Sequence, residues 1–231
     1  MEHIEKALHS IIKYNQYRDW MQTPFTIEDN VYSTDAHTII KVPKDSVGLF
    51  DECKKEGNVK VVLNLFDFAP KKIMTIKVQD LKDAIRKIPL VDEVLNETIE
   101  VKCKECDGTG EVEWEYEGHY NDFYCPICDG NGTLTEEQKN KTGKKIKDAN
   151  YFIDINCSRI RSYMIEELIN IAWLLKTEKI EVIHQTAPNK GIGFQVGIAQ
   201  IIMMPILQTD EHNIIHRFDS LSEKKAVEEN C

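Results

Sequence analysis

The chain has 231 residues, with 29 Lys+Arg against 39 Asp+Glu and a formal net charge of −10. A sequence pI near 5.2 and a mean hydropathy of −0.41 read as a soluble globular chain, long enough to bury a core. This balance excludes a surface that is basic throughout, as in a histone-like binder, while leaving room for a local basic face.

Residues 3–15 place Ile4, Leu8, Ile11 and Ile12 at amphipathic helix spacing, with Lys6 and Lys13 on the polar side. Residues 24–43 read as short strands, with a hairpin turn at Glu28-Asp29-Asn30 and a bend at Thr34-Asp35-Ala36. Residues 44–58 are polar and read as irregular. The β-branched and aromatic content of Val59–Phe66 predicts a strand, and Ile73–Val78 another. Gln79–Ile88 reads as a helix stopped by Pro89.

Four of the seven cysteines then fall in one window, as Cys103, Cys106, Cys125 and Cys128. The pattern C-x2-C-x18-C-x2-C offers two pairs of thiolates, the donor set of a closed, structural tetrahedral zinc site. Residues 103–110 and 125–132 share the phrase C-x-x-C-D-G-x-G, whose glycines let the chain reverse after each knuckle. The alternatives are two disulfides or four separate thiols. No secretory signal or membrane span is read from the sequence, so a cytoplasmic location is expected, and disulfides are rare there. Between the knuckles, residues 111–117 alternate strictly, predicting a half-buried strand with Val112, Trp114 and Tyr116 on one face. The opposite row of four glutamates reads as a solvated face, with a docking surface for a basic partner as the alternative.

Residues 134–149 read as a polar linker. Tyr151–Asn156 predicts a strand, and Ser158 is expected to cap a helix running to about Lys176, with Trp173 beside its wide apolar arc. Strands at Lys179–His184, Ile192–Val196 and Ala199–Met204 complete a β-α-β-β-β unit. The tail, 208–231, is mostly polar and expected to fray. No phosphate-binding G-x-x-x-x-G-K-[ST], H-E-x-x-H or G-x-S-x-G occurs, and no catalytic residue is assigned.

The cysteine phrase resembles the cysteine-rich zinc region of the DnaJ chaperones, with two repeats where that family has four, which implies one zinc ion. No His-Pro-Asp is present. The resemblance implies a zinc-held β-hairpin with a protein-binding role for Trp114, Tyr116, Tyr120 and Phe123. A second resemblance covers residues 1–45 and 150–207. Ser33-Thr34-Asp35-Ala36-His37-Thr38-Ile39 and Ile201-Ile202-Met203-Met204-Pro205 resemble segments of bacterial DNA polymerase sliding clamps of the beta-subunit type. Ala36 and Thr38 depart from that family's glycine and arginine. Val62-Leu63-Asn64-Leu65-Phe66 is similar to the Leu-x-Leu-Phe peptide that replication proteins insert into clamps, with a buried strand as the competing explanation.

The expected fold class is α+β. A clamp-like domain would be made of residues 1–45 and 150–207, with residues 46–148 inserted and a zinc hairpin at about 99–134. The resemblance implies a non-enzymatic accessory or scaffold in DNA replication or repair. Its DNA-facing residues would be Lys6, Lys13, Arg159 and Arg161, and its partners duplex DNA, replication or repair proteins and a second copy, with no membrane. The alternative is a chaperone-type zinc-hairpin module that binds proteins without DNA.

Overall fold

A computed structural model describes residues 1–12, 19–209 and 211–220. Its elements are α1 (Glu2–Ser10), β1 (Phe25–Ile27), β2 (Asn30–Thr34), β3 (Thr38–Pro43), α2 (Glu56–Leu65), β4 (Met74–Lys77) and α3 (Val78–Arg86). They continue as β5 (Leu90–Lys102), β6 (Glu111–Tyr116), β7 (His119–Tyr124), β8 (Thr133–Lys147), β9 (Tyr151–Ile155) and β10 (Ser158–Arg161). The last are α4 (Ser162–Leu174), β11 (Lys179–His184), β12 (Ile192–Val196), β13 (Ala199–Met203) and β14 (Asn213–Phe218). The α+β class is as expected. Among the described residues, no helix is long and apolar enough to cross a membrane.

The chain divides into two compact units, Met1–Pro89 with Asp148–Cys231, and Leu90–Lys147. The first is built on a seven-stranded sheet ordered β1-β2-β3-β13-β12-β11-β4. Its strands other than the edge strand β4 are largely buried on both faces, and alternate residues go to opposite sides. Ile40, Val42, Ile201 and Met203 join a core with Leu8 of α1, Leu81 and Ile85 of α3, and Ile165, Leu168 and Ile171 of α4. Ile39, Tyr32 and Ile202 face the other way, against Val62 of α2 and its half-buried neighbours Val59, Leu63 and Phe66. A smaller sheet, β10-β9-β14, adds Ile153, Ile155 and Ile160 to the first core.

Several expectations are corrected. Val59–Leu65 is helix with Phe66 as its C-cap, because Val59, Val62, Leu63 and Phe66 lie at i, i+3, i+4 and i+7 and cover one sheet face, so packing overrides β-branched content. Ser158 is not a helix cap. It is the buried first residue of β10 and its hydroxyl lies 2.7 Å from the Gln185 amide that donates to it, while the helix begins at Ser162. The tail is not wholly frayed, since β14 pairs in parallel with β9. The insertion is narrower than 46–148, because β4 forms an edge of the main sheet and α3 packs in its core. Residues 134–149 are no linker: β8 runs antiparallel to β5 along nearly its whole length.

Candidate metal centre and apolar cleft

In the second unit the chain runs β5, first knuckle, β6, β7, second knuckle, β8. The two knuckles share one backbone conformation. Asp107 and Asp129 both have φ of 49°, and Gly108 and Gly130 have φ of 79° and 81°. Each knuckle anchors the strand of the other: the Cys103 amide donates to the Gly132 carbonyl at 2.9 Å and the Cys125 amide to the Gly110 carbonyl at 2.8 Å. A Cβ added at Gly110 would collide with the Gly130 carbonyl, and one at Gly132 with the Gly108 carbonyl. The last glycine of C-x-x-C-D-G-x-G is therefore required by the close approach of the two loops as well as by its positive φ.

This packing brings the four sulfurs within 4.8 Å of one another, all on buried residues. Cys103 Sγ lies 3.8 Å from Cys125 Sγ, and Cys106 Sγ 3.7 Å from Cys128 Sγ. The Gly110 amide donates to Cys106 Sγ at 3.3 Å and the Gly132 amide to Cys128 Sγ at 3.2 Å, the kind of donor that stabilises thiolate. Burial raises both thiols. At Cys106 the amide of Gly110 and the neighbouring donors outweigh it and bring the thiol down to about 7, whereas Cys128 stays raised to about 11. The arrangement is compatible with a four-coordinate metal site. Among the described residues it is the one such cluster of His, Cys, Asp or Glu.

The hairpin above the site turns on Glu117 and Gly118, both at positive φ, as a two-residue loop requires. The expected half-buried strand is exposed instead. Trp114 is 67% and Tyr116 75% exposed, and Val112 alone reaches the cysteine cluster. The register puts Val112, Trp114, Tyr116 and Phe123 on one face, with Trp114 and Phe123 in edge-to-face contact at 6.5 Å. Tyr120 is on the other face, opposite Glu115. The four aromatic residues expected to act together are thus split three to one.

Of the four residues expected to face DNA, the three described ones, Lys6, Arg159 and Arg161, do not share one exposed basic face. Lys13 lies outside the described residues. Lys6 is paired with Glu2 at 2.6 Å on the exposed side of α1. Arg159 belongs to β10, not to a helix, and is buried in a bidentate pair with Asp154 (Nε to Oδ1 2.9 Å, Nη2 to Oδ2 3.2 Å). Arg161 is exposed just before α4, but no basic residue follows it within that helix.

The two segments that resemble the clamps, 165 positions apart, are joined in the structure. Met203 and Ile202 of β13 pair with Thr38 and Ile39 of β3, and the Met204 amide donates to the His37 carbonyl at 2.8 Å. The turn between β2 and β3 is internally fixed: Asp35 Oδ1 accepts from the amides of His37 and Thr38 at 2.9 and 2.8 Å, and the Thr34 hydroxyl donates to the Thr38 carbonyl at 2.8 Å. Ala36 has φ of +79°, a conformation that favours glycine. Together with α2 and the 3-10 turn Asp19–Met21, these segments enclose a cleft of about 330 Å³. Trp20, His37, Val61, Leu65 and Met204 form part of its wall. Asn58 lines it too, and its side-chain nitrogen is buried with no hydrogen-bond partner among the described residues. Sequence reading missed Trp20, Met21, Asn58, Val61 and Leu65. The one available signal was the helical spacing of 58, 61, 62 and 65.

No family model matches the chain, and no curated protein matches it. The DnaJ resemblance thus remains local to the cysteine phrase. Solved structures with a similar chain path include bacterial sliding clamps. The DNA polymerase sliding clamp of Bacillus subtilis is 10% identical with a TM-score of 0.47, covering 90% of this chain and 62% of that one. The beta-subunit clamp of Bartonella birtlesii, solved bound to griselimycin, is 11% identical with a TM-score of 0.43, covering 90% and 64%. The Helicobacter pylori beta clamp, solved bound to a DNA ligase peptide, is 11% identical with a TM-score of 0.43, covering 89% and 62%. This chain therefore spans less than two thirds of the length of these clamps, and the likeness is one of fold alone.

Proposed function

We propose that this protein is a non-enzymatic, clamp-like scaffold in DNA replication or repair, which docks a short apolar peptide segment of a partner protein in the cleft beside Met204. The observation that carries this reading is the convergence on one preformed cleft of the 34–39 and 201–204 segments, with an Asn58 side-chain nitrogen in its wall that has no hydrogen-bond partner among the described residues. An extended peptide brings both apolar side chains and a backbone carbonyl that this amide can donate to. The Helicobacter clamp is solved with a DNA ligase peptide; for this chain the proposal rests on its own cleft. A labelled peptide containing Leu-Ser-Leu-Phe should bind saturably to the zinc-loaded protein. Val61→Glu or Met204→Glu, at residues 60% and 38% exposed, should weaken it at least about tenfold, the ratio that about 1.4 kcal/mol sets. Equal binding to the parent and both variants, or none at all, would reject the proposal.

The same reading gives the cysteine cluster one structural zinc ion. Thiolates about 2.3 Å from zinc in a tetrahedron are about 3.8 Å apart. The sulfur pairs at 3.8 and 3.7 Å match that edge. Cys103, Cys106, Cys125 and Cys128 would fill all four positions, so the ion would hold the fold and activate no water. A second reading, a zinc hairpin that binds proteins without DNA, is favoured by one observation, the exposed apolar face of Trp114, Tyr116 and Phe123. It predicts that Trp114→Ala abolishes partner capture while the cleft variants leave it unchanged.

A further inference from the structure

Where α4 ends and α3 begins, four lysines surround an exposed tryptophan. Lys77, Lys82, Lys176, Lys179, Trp173 and Glu178 contribute to the lining of a shallow concavity of about 760 Å³. The backbone sets this arrangement. The Lys176 amide donates to the Trp173 carbonyl and the Thr177 amide to the Ala172 carbonyl, closing α4 with Lys176 at φ +53°. The Val78 amide donates to the Glu178 carbonyl at 2.9 Å, tying the start of α3 to the same turn. The expectation that Trp173 flanks a buried arc is not met, since it is 67% exposed.

One feature of this patch costs the isolated chain free energy, and a second leaves its charge uncompensated. Lys77 and Lys179 are register partners directly across the β4–β11 pair, a like-charge pairing that opposes sheet formation. None of the four lysines forms an ion pair with another described residue. With Glu178 counted, these six side chains carry a net charge of +3, in a chain whose formal total is −10. An anion would relieve the lysine repulsion, and a flat aromatic group would cover the indole.

We propose that this patch binds single-stranded nucleic acid, with the lysines on successive phosphates and an unpaired base stacked on Trp173. The ring supplies a stacking surface that a duplex, whose bases are already stacked, cannot use. An anionic membrane would match the lysines and accept the indole at its interface, but a flat lipid surface does not fill a concavity as a strand does. This inference concerns a different surface from the peptide cleft and stands independently of it.

The test is fluorescence anisotropy of a labelled twelve-residue oligo-dT with the full zinc-loaded chain, between 25 and 200 mM salt. Three or four phosphate contacts predict a slope of log affinity against log salt of about −2 to −3. Lys77→Glu combined with Lys179→Glu should lower affinity at least about tenfold and flatten that slope. Trp173→Ala should lower it by about 5- to 150-fold without changing the slope, and Trp173→Phe should restore most of the loss. Far-ultraviolet circular dichroism checks that each variant is folded. The proposal is overturned by no binding at 25 mM salt, by unchanged binding in folded variants, by equal affinity for a duplex of the same length, or by binding to phosphatidylserine vesicles but not to the oligonucleotide.

Discussion

The unit Met1–Pro89 with Asp148–Cys231 buries Leu8, Ile40, Ile76, Leu81, Ile165, Phe194 and Ile201 fully or almost so. The unit Leu90–Lys147 has a buried cluster of four cysteines, with Val112 and Leu134 packed partly against it. Most of its other large apolar side chains, among them Leu90, Leu95, Trp114, Phe123 and Ile146, are exposed. A two-stranded ribbon is marginal in water at best. The first unit has the burial to fold on hydrophobic free energy, whereas the second needs a cross-link at its knuckles, and its cysteine geometry suits a metal ion.

That contrast predicts different failures. The largest effect belongs to the proposed zinc ion. Structural zinc contributes about 10–16 kcal/mol of apparent binding free energy in small zinc-held domains. Cys106→Ser should therefore release the ion and lose the β6–β7 hairpin, seen as collapse of Trp114 amide and indole dispersion in NMR spectra, with the main thermal transition of the first unit retained. Breaking the first unit should do the reverse. Arg159→Ala leaves Asp154, at 5% exposure, with only the largely exposed Arg217 at 3.5 Å, and should cost about 3 kcal/mol in denaturant unfolding, with the proposed zinc still bound.

A smaller effect is set by pH. Burial, then the Glu28 carboxylate, pushes the Tyr32 phenol up to about 12. The folded chain keeps this proton while the unfolded chain loses it near pH 10, so the stabilisation is complete below that pH. It is lost as pH rises toward 12, by about 2–3 kcal/mol. Tyr32→Phe should remove this share of the alkaline loss in pH-dependent denaturation curves. The smallest change is a gain: Ala36→Gly should relieve the left-handed strain at φ +79° and stabilise the first unit by about 1 kcal/mol.

Legibility in the sequence followed the physics of each segment. The cysteine spacing and paired glycines were plain because metal ligation and positive φ demand particular residues at particular offsets. The β-α-β-β-β ending was readable because β11, β12 and β13 are buried and apolar. The strand β8 was not, because both its faces meet water and it shows no period-two alternation. The helix α2 was hidden by three valines whose spacing, not their type, decides the structure. The burial of Arg159 depends on Asp154 across a hairpin and on the Thr209 carbonyl, and the cleft on residues from Trp20 to Met204, so neither could be seen in any single window.

The metal dependence of the second unit is read by amide hydrogen exchange with and without a zinc chelator. Chelation should abolish protection in residues 99–134 and leave β3, β12, β13 and α4 protected as before. Loss of protection throughout the chain, or none anywhere after the metal has been removed, would contradict it.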